Sequence, residues 1–383
     1  MKPLTRIGAA VTVAATALAT AAAVAGPAGA STVRGGFHSG ASHVVFVQND
    51  NLAGNQVFAY RRAANGTLTR AGMYPTGGKG GQLTGSVVDH LGSQGSLTYD
   101  PVDGLLYAVN AGSDSVSVFA AHGARLSLRQ VTPSGGTFPV SVAAYGDLVY
   151  VLNALHGGSV QGYRVFGGRL FAIPGSNRRL HLNPKATPQF TNTPGQVAFS
   201  PDGSQLIVTT KANGNDIDVF GVLASGSLTR FAQVNSEPNA VPFAVTFDAA
   251  GHLVVAESAS NSAVATFTLN RDGTLLPIDQ VPTTQVATCW IVRDGSEVFA
   301  SNPGSASVSR VTDSPAGQLT LRGQTTTDPG TVDAATSPHG RYLYVQTGAN
   351  GTVDEFSVAG GSLTKIGSVT VPGAAGGEGI AAA

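Results

Sequence analysis

Glu257 and Lys211 are the two side chains of this sequence best suited to acid–base work. Glu257 ends the apolar run LVVAE, and Lys211 follows LIVTT in the preceding stretch of similar pattern. A turn does not call for a carboxylate at that place, so Glu257 is a candidate general base. Lys211 is a candidate stabiliser of developing oxyanion charge. The same two residues could instead form a structural ion pair, and residue types alone leave both readings open.

They belong to a ring of equivalent positions. Aligning the internal repeats places Asn49, Asn110, Asn153, Thr210, Glu257, Asn302 and Thr347 at the ends of seven apolar runs. Asn and Thr start turns by bonding their own backbone, which accounts for most of this ring. As hydrogen-bonding groups around a ligand, Asn110, Asn153 and Asn302 are also candidate substrate-binding residues. Gln196, Phe243 and Trp290 join them from the strands that begin the repeats, beside Gln94 and Cys289. Trp290 is the only tryptophan; an aromatic floor suits a flat or sugar-like ligand, and core filling is the other use of such a ring. Cys289 has no histidine in its own segment to activate it and reads as a buried thiol. No His/Cys group has zinc spacing, and neither NDN at 49–51 nor NGND at 213–216 fits a calcium loop. GGKGG at 77–81 lacks the Lys-Ser/Thr pair of a phosphate loop. Neither a metal nor a cofactor is expected.

The elements that position these residues follow from a recurring phrase: GTLTRAG at 66–72, GSLTRFA at 226–232, GQLTLRG at 317–323 and GSLTKIG at 361–367. Its leucines, Leu68, Leu126, Leu170, Leu228, Leu275, Leu319 and Leu363, recur every 44 to 58 residues. Upstream of each lie two runs of period-two pattern joined by an Asn/Gly/Ser/Asp turn, and before six of these a further short strand. Seven units of four antiparallel strands specify an all-β, seven-bladed propeller. The first unit lacks its innermost strand, and GEGIAAA at 377–383 supplies a spare one, so the last strand is expected to complete the first blade and close the ring. Two connections, 76–95 and 174–194, are long, and long ordered loops in a compact fold are commonly functional. The second carries Arg178, Arg179, His181 and Lys185 without an acid, which fits either an anion-contacting loop or a solvated one.

The whole chain sets the remaining bounds. Of 383 residues, 50 are Gly and 20 Pro, and 11% are charged, with Lys+Arg equal to Asp+Glu. Such a balance offers no general attraction to nucleic acid or to an anionic membrane. Residues 1–30 pair a basic start, MKPLTR, with an Ala/Val/Thr-rich run and the small residues GPAGA. This is the pattern of a secretory signal cleaved near Ala30; no basic stop-transfer flank follows that would favour a membrane anchor. Residues 31–42 are expected to be a flexible lead, and 43–383 the propeller. With a single cysteine there is no internal disulfide, so a large core must hold the exported fold. A closed ring is complete as a monomer, and the expected partner is a small molecule at the mouth of the central channel.

The pattern SPDG…LxV…N…VxVF…GxLT, strongest in QVAFSPDGSQLIVTT at 196–210 and in GSLTRF, resembles the lactonase family of seven-bladed propellers. That family includes phosphogluconolactonases and fungal carboxymuconate cyclases, and the resemblance spans about residues 43–383. It implies hydrolysis of a lactone or related cyclic ester. The family's Arg-His pair falls where this chain has Gly195-Gln196. Its Glu falls at Lys211, and an Arg of the family falls at Ser258. Three readings follow. In the first, a lactonase-like hydrolase uses Glu257 to activate water and Lys211 with nearby Asn amides to hold the oxyanion, and the 174–194 loop recruits a carboxylate. The second is a non-catalytic propeller binding a small molecule, glycan or protein. The third is a lactone cyclase or isomerase.

Overall fold

The computed structural model describes residues 43–383. The signal, its cleavage near Ala30 and the flexible lead lie outside the described residues. Seven four-stranded antiparallel sheets follow one another as blades, each with strands A to D from the inside outward. Blade 2 comprises Leu97–Asp100, Leu105–Asn110, Ser115–His122 and Arg125–Pro133. Blade 3 comprises Pro139–Tyr145, Leu148–Asn153, Ser159–Phe166 and Arg169–Ala172. In blade 4 the strands are Val197–Phe199, Gln205–Thr209, Asp216–Gly221 and Gln233–Ser236. In blade 5 they are Pro242–Phe247, Leu253–Glu257, Ala263–Leu269 and Leu275–Pro282. Blade 6 runs through Trp290–Asp294, Glu297–Asn302, Ser307–Asp313 and Leu319–Thr326. Blade 7 runs through Thr331–Thr336, Tyr342–Thr347, Thr352–Ala359 and Ser362–Thr370.

Blade 1 is made from both ends of the propeller. Its strands B to D are Val44–Gln48, Gln56–Arg62 and Leu68–Pro75, and strand A is Ile380–Ala382. Val45 pairs with Ala382 and Val47 with Ile380, so the expected closure is present.

The recurring phrase is explained by two backbone devices. Its first glycine turns the chain into strand D with φ positive: 92° at Gly66, 81° at Gly226, 75° at Gly317 and 76° at Gly361. L-residues with a Cβ avoid that region. Its end carries a β-bulge: the C–D register shifts between Ala59 and Tyr60, between Arg310 and Val311, and between Glu355 and Phe356. One extra residue per pair bends and twists the outer strand. Among the leucines, Leu68, Leu126, Leu170, Leu228 and Leu319 are buried, whereas Leu275 and Leu363 are half-buried. Leu228 precedes the short strand D of blade 4 and bridges back to Val222.

The core lies between blades, where strands B and C are buried almost throughout; strand D buries alternate residues at most. Among the described residues no helix is long and apolar enough to cross a membrane.

Candidate functional site

Both long connections cross the face on which the B-to-C turns emerge. The first runs from strand D of blade 1 across to blade 7, where Asp89 bridges Gly376 and the His90 amide donates to Gly376 O at 2.6 Å. It then dives into the channel. Ser93 Oγ donates to Val140 O of blade 3 at 2.8 Å, and the Gln94 amide nitrogen donates to Gly195 O at 3.0 Å. The Gln94 side chain makes two bonds to the backbone of Ile291, at 2.9 and 2.8 Å. Trp290 Nε1 donates to Ser93 O. Residues 92–95 thus fill the channel on this face, which the sequence reading takes as the ligand mouth.

The second connection is shorter than its sequence suggests. Arg178–Arg179 pairs with Ser159 and Val160 and extends the outer edge of blade 3. Arg178 spends its guanidinium on the carbonyls of Gly175, Asn177, Leu228 and Thr229. It is a clamp between blades 3 and 4 rather than an anion receptor. Arg179, His181 and Lys185 are exposed.

A pocket of about 400 Å³ lies off the axis, over blades 4 to 6. Val87 and Val88 of the first crossing and Phe190 and Thr191 of the second form one wall; Val241, Phe243, Ala287 and Pro303 supply most of the rest. Its polar side chains are Lys211, Ser258, Cys289 and Thr191. Phe243 packs on Trp290 with ring centroids 4.8 Å apart, and Trp290 is itself buried behind it.

Lys211 and Phe243 are therefore the two proposed site residues that line this pocket; Glu257 does not. Glu257 accepts a hydrogen bond from Gln280 Nε2 at 2.5 Å, and burial pushes its carboxyl up to about 7. Among the described residues no ion pair joins Glu257 to Lys211; such a pair is one of the two readings that residue types alone leave open. Ser258, one residue further on, faces the pocket, as the alternation of side chains along a strand requires.

The other candidates serve the scaffold. Asn110 Nδ2 donates to Ser117 Oγ at 2.8 Å, and Asn302 Nδ2 to Ser309 Oγ at 3.0 Å. Asn153 Nδ2 donates to Ser134 O at 3.1 Å, and Gln196 Oε1 accepts from the Val245 amide at 2.6 Å. These bonds fasten turns and neighbouring blades.

Sequence reasoning missed a buried acid cluster beside the pocket: Asp50, Asp89, Asp333 and Glu378. Glu378 is hydrogen-bonded to the Ser93 hydroxyl, and its own amide donates to Asp50 at 2.8 Å. Asp89 accepts from the Gly92 amide and lies within hydrogen-bonding reach of Glu378, a contact that needs a proton on one carboxyl. Burial raises all four: Asp50 and Asp333 to about 7, Asp89 to about 6, and Glu378 well above the usual range, helped by Asp89. Lys211 faces Asp89 and Glu378, and burial lowers its amine to about 8 against their attraction. The signal was thin: Asp50 sits in NDN, considered only as a calcium turn, and Glu378 in GEG. Among the described residues no group of three or more His, Cys, Asp or Glu is arranged to hold a metal ion. Burial also pushes the Cys289 thiol far above its ordinary value, which agrees with an inert thiol.

With this geometry in view, likeness to known proteins is informative. Residues 178–292 match the family model for the lactonase, seven-bladed beta-propeller. The fold is that of a lactonase-type propeller. A provisional 6-phosphogluconolactonase from Bacteroides fragilis is similar with TM-score 0.68 and 20% identity, over 86% of this chain and 96% of that one. A periplasmic gluconolactonase from Pseudomonas aeruginosa gives TM-score 0.68 at 17% identity, over 88% and 98%. A Lactobacillus plantarum protein gives 0.69 at 19%, also over 88% and 98%. No curated protein matches the sequence. The family match and these neighbours are consistent with a lactonase-family propeller, and the neighbours carry the fold rather than a substrate.

Proposed function

We propose that this lactonase-like propeller takes up an uncharged, largely apolar cyclic ester in the pocket over blades 4 to 6. The carrying observation is the lining: Val87, Val88, Phe190, Val241, Phe243 and Pro303 around a volume at the small end of ligand sites, which span roughly 300–1,000 Å³. A phosphorylated sugar lactone would bring two or so charges into this wall with no arginine to receive them, a desolvation cost of several kcal/mol. The lactone class comes from the family match; the apolar preference comes from this chain's own residues.

Hydrolysis would require a base to activate water. Among the described lining residues there is neither a carboxylate nor an imidazole, which favours a second reading: binding of the same ligand class without turnover. The basic start and small residues before Ser31 support export, with the signal removed near Ala30. Mass analysis of the secreted N-terminus checks that step.

The deciding experiment is calorimetric titration and acid release with δ-decalactone, glucono-δ-lactone and 6-phosphogluconolactone, on the wild type and on Ala212→Trp, which fills the pocket from its rim. Binding of δ-decalactone alone, lost in the variant, supports the site. Acid release then selects hydrolysis, and its absence selects the binding reading. Failure of δ-decalactone to bind, or binding untouched by Ala212→Trp, overturns the proposal.

A further inference from the structure

We propose that Lys211 is a positioning residue: a latch that holds the loop-built wall of the pocket in place. The wall comes from two crossings far apart in sequence, Val87 and Val88 in one and Phe190 and Thr191 in the other. Lys211 Nζ ties both. It donates to Gly92 O at 2.6 Å in the first crossing, and to Phe190 O at 2.7 Å and Thr193 Oγ1 at 3.3 Å in the second. Three protons meet three protein acceptors, so no N–H remains for a ligand oxyanion. The rings of Phe190 and Phe243 lie 5.7 and 5.3 Å from the same ammonium. The residue also holds φ at 53°, a left-handed conformation that a side chain other than glycine adopts at a cost and that the surrounding bonds must sustain.

The strength of this tie depends on charge. An ammonium makes charge-assisted bonds to carbonyl oxygens, whereas a neutral amine has two protons for three acceptors. The ionisable groups that face it are Asp89 and Glu378 from the channel and Cys289 from blade 6. Behind them stand Asp50, next to Asp89 and Glu378, and Asp333, next to Glu378; His90 follows Asp89 in the chain. Asp89 and Asp50 titrate at about 6 and about 7, below the lysine at about 8. Glu378, raised well above its ordinary value by burial and by Asp89, faces the same amine, so the Lys211→Arg comparison is what assigns a loosening to Lys211. The latch is independent of what occupies the pocket, and its test uses no ligand.

The experiment is hydrogen–deuterium exchange of the full protein at about pH 6.5 and about pH 9.5, corrected for intrinsic rates, for wild type, Lys211→Arg and Lys211→Met. Peptides covering 83–95 and 186–195 are compared with peptides from the blades. In the wild type both loop peptides should lose protection about tenfold at the higher pH, the worth of one charge-assisted bond. Lys211→Arg, a cation that does not titrate in this range, should stay protected at both; Lys211→Met should be unprotected at both. Equal wild-type protection at the two pH values overturns the latch. So does a Lys211→Met protein as protected as wild type, or a Lys211→Arg protein that still loosens with pH. If Lys211→Met does not fold, the wild type and Lys211→Arg decide the matter between them.

Discussion

Replacing Asp333 with Asn isolates the energetic signature of the buried acid cluster. Asp333 lies within the inner strand of blade 7, is buried, and accepts from the Ala334 amide at 2.9 Å; the Ile380 amide is a second donor. Burial raises its carboxyl from 3.8 to about 7. A folded-state value above the unfolded one means that the native protein binds the proton more tightly. The associated stability is complete below the unfolded value and is lost as pH climbs through the folded one. Between about pH 5 and about pH 8 the loss from a shift of this size is about 2.5 kcal/mol, at 1.36 kcal/mol per unit. Asn keeps the acceptor oxygen and cannot ionise, so the variant should not show that loss. Urea unfolding followed by circular dichroism at the two pH values gives the number directly. Wild type should be less stable at the higher pH, and the stability difference between variant and wild type should grow by roughly 1–3 kcal/mol in the variant's favour. Parallel pH dependence in the two proteins would refute the claim that Asp333 is held protonated by burial.

Three further outcomes follow from the same structure. Gln94→Leu strands the buried amide and carbonyl of Ile291 and should cost about 2–4 kcal/mol, read as a lowered urea midpoint at unchanged m. Gly66→Ala places a Cβ against the ring of Tyr342 at a φ of 92° and should destabilise by more than about 1 kcal/mol in the same assay, whereas Gly123→Ala, with open space around it, should cost less. Cys289, buried and with its thiol pushed up, should not react with a disulfide reagent in the native protein and should react at once in urea; rapid native labelling would contradict its placement.

The blades were legible because their information is local. Period-two runs, the positive-φ glycine of each GxLT turn and the spare strand at 377–383 each declare themselves within a few residues. The site was less so, for two physical reasons. Whether a strand-end residue faces a pocket turns on a single step of alternation, and that step sends Ser258 to the pocket and Glu257 to Gln280. The acid cluster depends on contacts such as Ser93 with Glu378, 285 residues apart, which only the completed ring creates. Lys211 was visible as a cation. Its three acceptors on two crossing loops were not, because nothing in either loop's composition says where it lands.

Closure of the ring by Ile380–Ala382 also sets an order of events in biosynthesis. Six blades are built from contiguous hairpins and can form as the chain emerges. Blade 1 waits, with Val44–Gln48 lacking its inner partner until the other end of the propeller arrives. During that interval a five-residue strand that is fully buried in the finished fold presents an unpaired apolar edge, the kind of surface that recruits other chains. Asp50 and Ser93 likewise wait for Glu378, so the channel acids assemble in the same late step. The period between synthesis of the first strand and capture of the last is thus the interval in which this edge is open to pairing with another chain.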